Sequence, residues 1–118
     1  MMKIVHDEIQ FEESDLLDLD VTLSKLIYNA LSTYRAKVIA TNNVKIPSGL
    51  LRRMYPHAKG DYLPYMEERA AEHWLEILEK MESSFKDSTP PEEVNEKQRQ
   101  DRLEGRILFA KYFHNLWM

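Results

Sequence analysis

The residues that interrupt regular structure are crowded into one stretch of this chain, and that crowding constrains the fold more than any other feature. Residues 44–63 hold Pro47, Gly49, Pro56 and Gly60, which includes two of the chain's three glycines. A long helix cannot cross them, because proline lacks an amide donor and both residue types disfavour a helix interior. On either side, apolar residues recur at three- and four-residue spacing, the period of an amphipathic helix. Leu23, Leu26, Ile27, Ala30, Leu31, Tyr34 and Val38 form one stripe on a helix expected from about Asp20 to Ala40, and Thr41-Asn42-Asn43 ends it. Met66, Ala70, Trp74, Ile77, Leu78, Met81 and Phe85 mark a second helix, opened by Pro64 and ending near Asp87.

A third helix is expected after Pro90-Pro91, with Thr89 or Ser88 as its cap and Glu92-Glu93 at its positive end. It is polar for three turns and then strongly apolar through Leu103, Ile107, Leu108, Ala110, Phe113, Leu116 and Trp117. Gly105 inside it marks either a close helix crossing or a weak point. Ser48–Tyr55 reads as a short helical turn within the irregular stretch. Residues 3–11 read as a short strand or as an arm on the helices, and Ser14, Asp15, Asp18 and Asp20 are candidate helix caps after it. The expected fold is all-α: a single domain over residues 1–118, a compact bundle of three principal helices with an irregular segment between the first two. The aromatic C-terminus is expected to dock, so that removing Phe113–Met118 would expose the core.

Composition narrows the chemistry. The chain has no cysteine, which removes disulfides, thiolate metal sites and thiol catalysis, and suits a reducing cytoplasm. No apolar run approaches the roughly 20 residues of a membrane helix, and the N-terminus lacks the pattern of a signal peptide. The expectation is a cytoplasmic protein with no membrane partner.

Charge is sorted along the chain. Between Asp20 and Asp61 there is no acid, and seven bases occur: Lys25, Arg35, Lys37, Lys45, Arg52, Arg53 and Lys59. The first 20 residues carry seven acids against one lysine, and residues 61–118 carry 13 acids against eight bases. A basic segment within an acidic chain of net charge −4 creates a local positive field that selects an anionic partner. Much of it falls on the irregular stretch, where ligand contacts concentrate. Lys45, Arg52, Arg53, Tyr55, His57 and Lys59 are therefore the candidate ligand-binding residues. Guanidinium groups grip phosphate in bidentate fashion, His57 can donate to an anion, and Tyr55 and Tyr62 offer flat faces. The competing reading is that these bases only neutralise the protein's own acids.

Other chemistry is thin. Glu76-x-x-Glu79 and Asp101-x-x-Glu104 have the form of paired acidic motifs that hold magnesium in all-α nucleotide pyrophosphatases. On a helix, however, Glu72, Glu76 and Glu79 lie nearly opposite the apolar stripe, so a solvated face is expected, with Glu76–Lys80 and Glu82–Lys86 pairs. His6, His57, His73 and His114 are scattered without metal-ligand spacing. Serine-nucleophile and phosphate-loop motifs do not occur. Trp74 and Trp117 sit in apolar stripes and are expected in the core. No catalytic residue, metal or cofactor is assigned.

Three segments carry a likeness: LDLDVTLSKLIYNAL at 17–31, HWLEILEKMESSF at 73–85 and GRILFAKYFHNLW at 105–117. Together they resemble a family of short, uncharacterised proteins encoded by bacteriophages and prophages. The matched positions are Asp18 and Asp20; Trp74, Ile77, Leu78, Lys80, Met81 and Phe85; and Gly105, Leu108–Phe113, Leu116 and Trp117. Glu82-Ser83-Ser84 and Met118 depart from the pattern. The resemblance implies a phage origin and a helical fold, and no activity. The leading expectation is a small non-enzymatic phage protein acting against host defence, a homo-oligomer that sequesters a phosphorylated or nucleotide-like small molecule on its basic loop. A protein–protein inhibitor using the acidic residues 7–20 is the second reading. Nucleic-acid binding is the third, weakened by an isoelectric point near 5.6, and a virion or assembly role stays open.

Overall fold

A computed structural model describes residues 3–87 and 89–117, apart from the side chain of Val5. Ser88, one of two expected caps, and Met118 lie outside them. The described chain is mostly helical. A two-stranded antiparallel hairpin, β1 (Lys3–Val5) and β2 (Glu8–Gln10), precedes α1 (Glu13–Leu17) and α2 (Leu19–Thr41). Then come α3 (Ser48–Met54), α4 (Pro64–Ser84) and α5 (Glu96–Lys111), with single 3-10 turns at Pro56–Ala58, Pro91–Glu93 and Phe113–Asn115.

The expected boundaries of α2 and α4 hold to within a few residues. Helix α2 stops where Asn42 turns left-handed (φ 51°) and the amides of Asn42 and Asn43 return to the carbonyls of Ile39 and Val38. This is a Schellman stop, and asparagine accepts the left-handed conformation more readily than most residues. The last helix begins later than expected. Thr89 does not cap it; its amide and hydroxyl donate to Asp87 at 2.9 and 2.6 Å. Instead Asn95 accepts from the Gln98 amide and Gln98 accepts from the Asn95 amide, a reciprocal capping box. Another such box, with Asp15 accepting the Glu12 amide at 2.9 Å, opens α1. Among the described residues, Ser14, Asp18 and Asp20 make no side-chain cap hydrogen bond.

The core lies where α2, α3 and α5 meet α4. Leu31, Leu50, Trp74, Ile77, Leu78, Met81 and Tyr112 form one buried cluster. Trp74 is fully buried edge-on to Tyr112, with centroids 5.3 Å apart. Its indole N–H has no hydrogen-bond partner among the described residues, a cost of about 1–3 kcal/mol. Helices α4 and α5 cross closely at Gly105, where an added Cβ would meet the Lys80 carbonyl oxygen and Ser84. The glycine is thus a packing requirement. Arg35 on α2 donates to Glu82 on α4 at 2.7 Å. That hydrogen bond, ahead of the charge attraction of Glu82 and Glu79, holds the guanidinium pKa above its ordinary value against the opposing effect of burial.

Two expectations about packing are corrected. Trp117 is not in the core: it is 56% exposed, while its carbonyl accepts the Tyr34 hydroxyl at 2.7 Å. Helix α5 buries Gly105, with Leu108, Phe109 and the following Tyr112 packed on the core, and leaves Leu103 and Ile107 on the opposite, open side. The apolar residues of α5 cover too much of its circumference for one interface. The single stripe expected on α2 also divides. Ile27, Leu31, Tyr34 and Val38 turn inward, while Leu23, Leu26 and Ala30 stay exposed. The radius of gyration is 16.9 Å, against about 13.5 Å for a compact domain of this length. Among the described residues, the N-terminal hairpin pairs with itself and has no substantial packing on any helix.

Candidate functional site

The basic stretch folds so that some of its charges converge and others do not. Helix α3 ends at Met54, and the 3-10 turn at Pro56–Ala58 redirects the chain. Lys59 (φ 53°) and Gly60 (φ 89°) then both adopt left-handed backbone. Such consecutive residues reverse the chain tightly, which glycine tolerates and lysine does at some strain. The reversal brings Arg52, Tyr55, Pro56, Lys59, Gly60 and Tyr62 around one open cleft of about 520 Å³. That volume suits a small ligand. Tyr55 is braced from outside: its ring stands edge-on to Tyr65 in the first turn of α4, 6.5 Å between centroids. Arg69 in turn lies 5.8 Å over the Tyr65 ring.

The adjacent pair Arg52-Arg53 is split. Consecutive residues on a helix point about 100° apart, so Arg52 reaches the cleft while Arg53 turns to α5. There its Nη2 donates to the Tyr112 hydroxyl at 2.7 Å. Arg53 thus ties α3 to the core. His57 is exposed on the 3-10 turn outside the cleft lining, and Lys45 is exposed on the linker before α3. Of the six expected residues, Arg52, Tyr55 and Lys59 share one cleft. Tyr65 was not legible as a bracing residue, because only the tertiary fold brings it beside Tyr55.

The ion pairs bear on whether the bases merely balance the protein's own acids. Among the described residues, Arg35 is the one base of the segment 21–60 in a salt bridge. Arg52 and Lys59 face the cleft without a counter-ion among those residues.

A second groove, about 580 Å³, runs between α4 and α5 and is acidic. Glu76, Glu79, Asp101 and Glu104 line it together, so the paired acids face one groove while staying exposed, as well as forming a solvated face. The expected pairs within α4 do not form: Lys80 bonds Glu104 at 3.0 Å, Glu82 bonds Arg35, and Glu76 sits 3.6 Å from His73. For Lys80 and Glu82 a neighbouring helix offers the better-placed partner, whereas Glu76 finds His73 on its own helix. At the groove's end, the Thr89 hydroxyl and amide hold the Asp87 carboxyl below its ordinary pKa, with Arg102 assisting. No cluster of three or more metal-ligating side chains occurs among the described residues. No helix among them is long and apolar enough to cross a membrane.

No protein-family model, curated protein or solved structure matches this chain.

Proposed function

We propose that this chain is a non-enzymatic binding protein that captures a small phosphorylated, nucleotide-like molecule in the cleft between the end of α3 and the Lys59-Gly60 turn. The observation that carries this reading is the convergence of Arg52, Lys59, Tyr55 and Tyr62 on one cleft, with both cations free of ion pairs among the described residues. An unpaired guanidinium takes two phosphate oxygens at once, and an ammonium adds a mobile point charge. Tyrosine rings supply stacking faces that accept any base. Arg53, held by Tyr112, acts as a structural strut. Together with the likeness of three segments to phage proteins, this extends to a role in the infected cell: withholding a host signalling molecule by sequestration.

The test is an NMR titration of the ¹⁵N-labelled chain with AMP, ADP and inorganic pyrophosphate. At least one probe is expected to shift the amides around Arg52, Tyr55, Lys59 and Tyr62. Arg52→Glu should weaken that binding by about ten- to a hundredfold, the worth of a charged hydrogen bond. Arg53→Ala should leave affinity unchanged and lower stability by about 1 kcal/mol. Silence with all three probes, shifts centred elsewhere, or an Arg52→Glu variant that binds like wild type would overturn the reading.

A further inference from the structure

The turn that carries Lys59 has a geometry that suits a different residue. It spans Ala58 to Asp61, closed by the Asp61 amide donating to the Ala58 carbonyl at 3.0 Å. Its central residues are Lys59 (φ 53°, ψ 39°) and Gly60 (φ 89°). This is the form of a type I′ turn, in which asparagine followed by glycine is the favoured pair. Gly60 fits that pattern. Lys59 does not, because its long side chain offers none of the local hydrogen bonds that ease asparagine into the left-handed conformation. Strain of this kind persists where the surroundings fix it, as at ligand clamps. Here it sets an ammonium in the lining of the cleft that Arg52 also lines. Both side chains are exposed, neither is in a salt bridge, and no acid lines the cleft among the described residues.

Resting on the reading of the cleft above, we propose that it selects a phosphomonoester over a phosphodiester, and that Lys59 makes the distinction. A guanidinium fork takes two phosphate oxygens. A diester has only two unbridged oxygens and a single negative charge. Arg52 satisfies both, and Lys59 is left without a partner. A monoester has three terminal oxygens and a charge of about −1.5 to −2 at pH 7. The third oxygen and the remaining charge then fall to the ammonium of Lys59. Stacking on Tyr55 or Tyr62 does not discriminate, since the same base can be carried by either kind of phosphate.

Calorimetric titration of the full chain with AMP and with cyclic AMP tests this, because the two share base and sugar and differ in the phosphate. AMP is expected to bind about tenfold tighter or more, the worth of a charged hydrogen bond. Lys59→Asn should bring AMP down to the level of cyclic AMP, leave cyclic AMP unchanged, and raise the Tm as the turn relaxes. Arg52→Glu should weaken both. Lys45→Asn, exposed on the linker outside the cleft, should change neither. Equal affinity for the two nucleotides, with both lost in Arg52→Glu, would keep the cleft as a phosphate site and overturn the selectivity. A Lys59→Asn chain that binds AMP like wild type, or a loss matched by Lys45→Asn, would overturn the role of Lys59. Binding of neither nucleotide would overturn the selectivity and, with pyrophosphate silent as well, the cleft reading itself.

Discussion

Replacing Gly105 with alanine probes the junction on which the core depends. The new Cβ would sit 2.5 Å from the Ser84 Cβ and 2.9 Å from its Oγ, and would press on the Lys80 carbonyl oxygen. Favourable carbon contacts lie near 3.5–4.0 Å, so α5 must retreat by about 1 Å. One of the obstacles is α4 backbone, which no rotamer change can move aside. Overpacking of this kind costs about 3 kcal/mol at the upper end of its usual range. Alanine's better helix propensity returns about 1 kcal/mol. The net loss is about 2 kcal/mol, or about 6–8 °C in Tm for a chain of this size. Gly49→Ala is the matched control. Nothing lies within 4 Å of its added Cβ, and the change should be neutral or stabilising by about 0.5 kcal/mol. Urea and thermal melts of both variants supply the comparison. A Gly105→Ala chain that melts at or above wild type would refute the close crossing.

Arg35→Met should cost about 2 kcal/mol, because it strands the Glu82 carboxylate, which is only 7% exposed. Arg35→Met/Glu82→Gln should recover most of that loss in the same melts; an Arg35→Met chain of wild-type stability would show that the pair contributes nothing. Burial raises the Tyr34 phenol pKa, although its bond to the Trp117 carbonyl accompanies it. A proton held more tightly in the folded chain gives stability that is whole below about pH 10 and falls as pH rises beyond it. Urea titrations between pH 8 and 11 should show that decline in wild type, and Tyr34→Phe should flatten it; equal slopes would contradict the assignment.

Much of the helical framework was legible, because burial on one face writes itself at the helical period. Trp74, Ile77, Leu78 and Met81 were expected inward and are. The short helix at Ser48–Met54 and the stop at Asn42 came from local chemistry alone. The hairpin was ambiguous because its turn residues, His6 and Asp7, both take positive φ without the glycine or asparagine that usually announces such a turn. The start of α5 was misplaced because prolines open both helices and single 3-10 turns. Periodicity could not divide the α2 stripe: Leu23 and Leu26 differ from Leu31 and Val38 in which neighbour is present, not in spacing. For the cleft, composition pointed to Arg52, Tyr55 and Lys59. The diversion of Arg53 to Tyr112 depended on α5, which is distant in sequence.

Native mass spectrometry of the protein purified from a bacterial host bears most directly on the cleft, since it weighs the chain with whatever it holds. The expected result is a retained anionic molecule of roughly a few hundred daltons, absent from Arg52→Glu and kept by Arg53→Ala. A bare chain, or cargo that Arg52→Glu still carries, would contradict a binding role for the cleft.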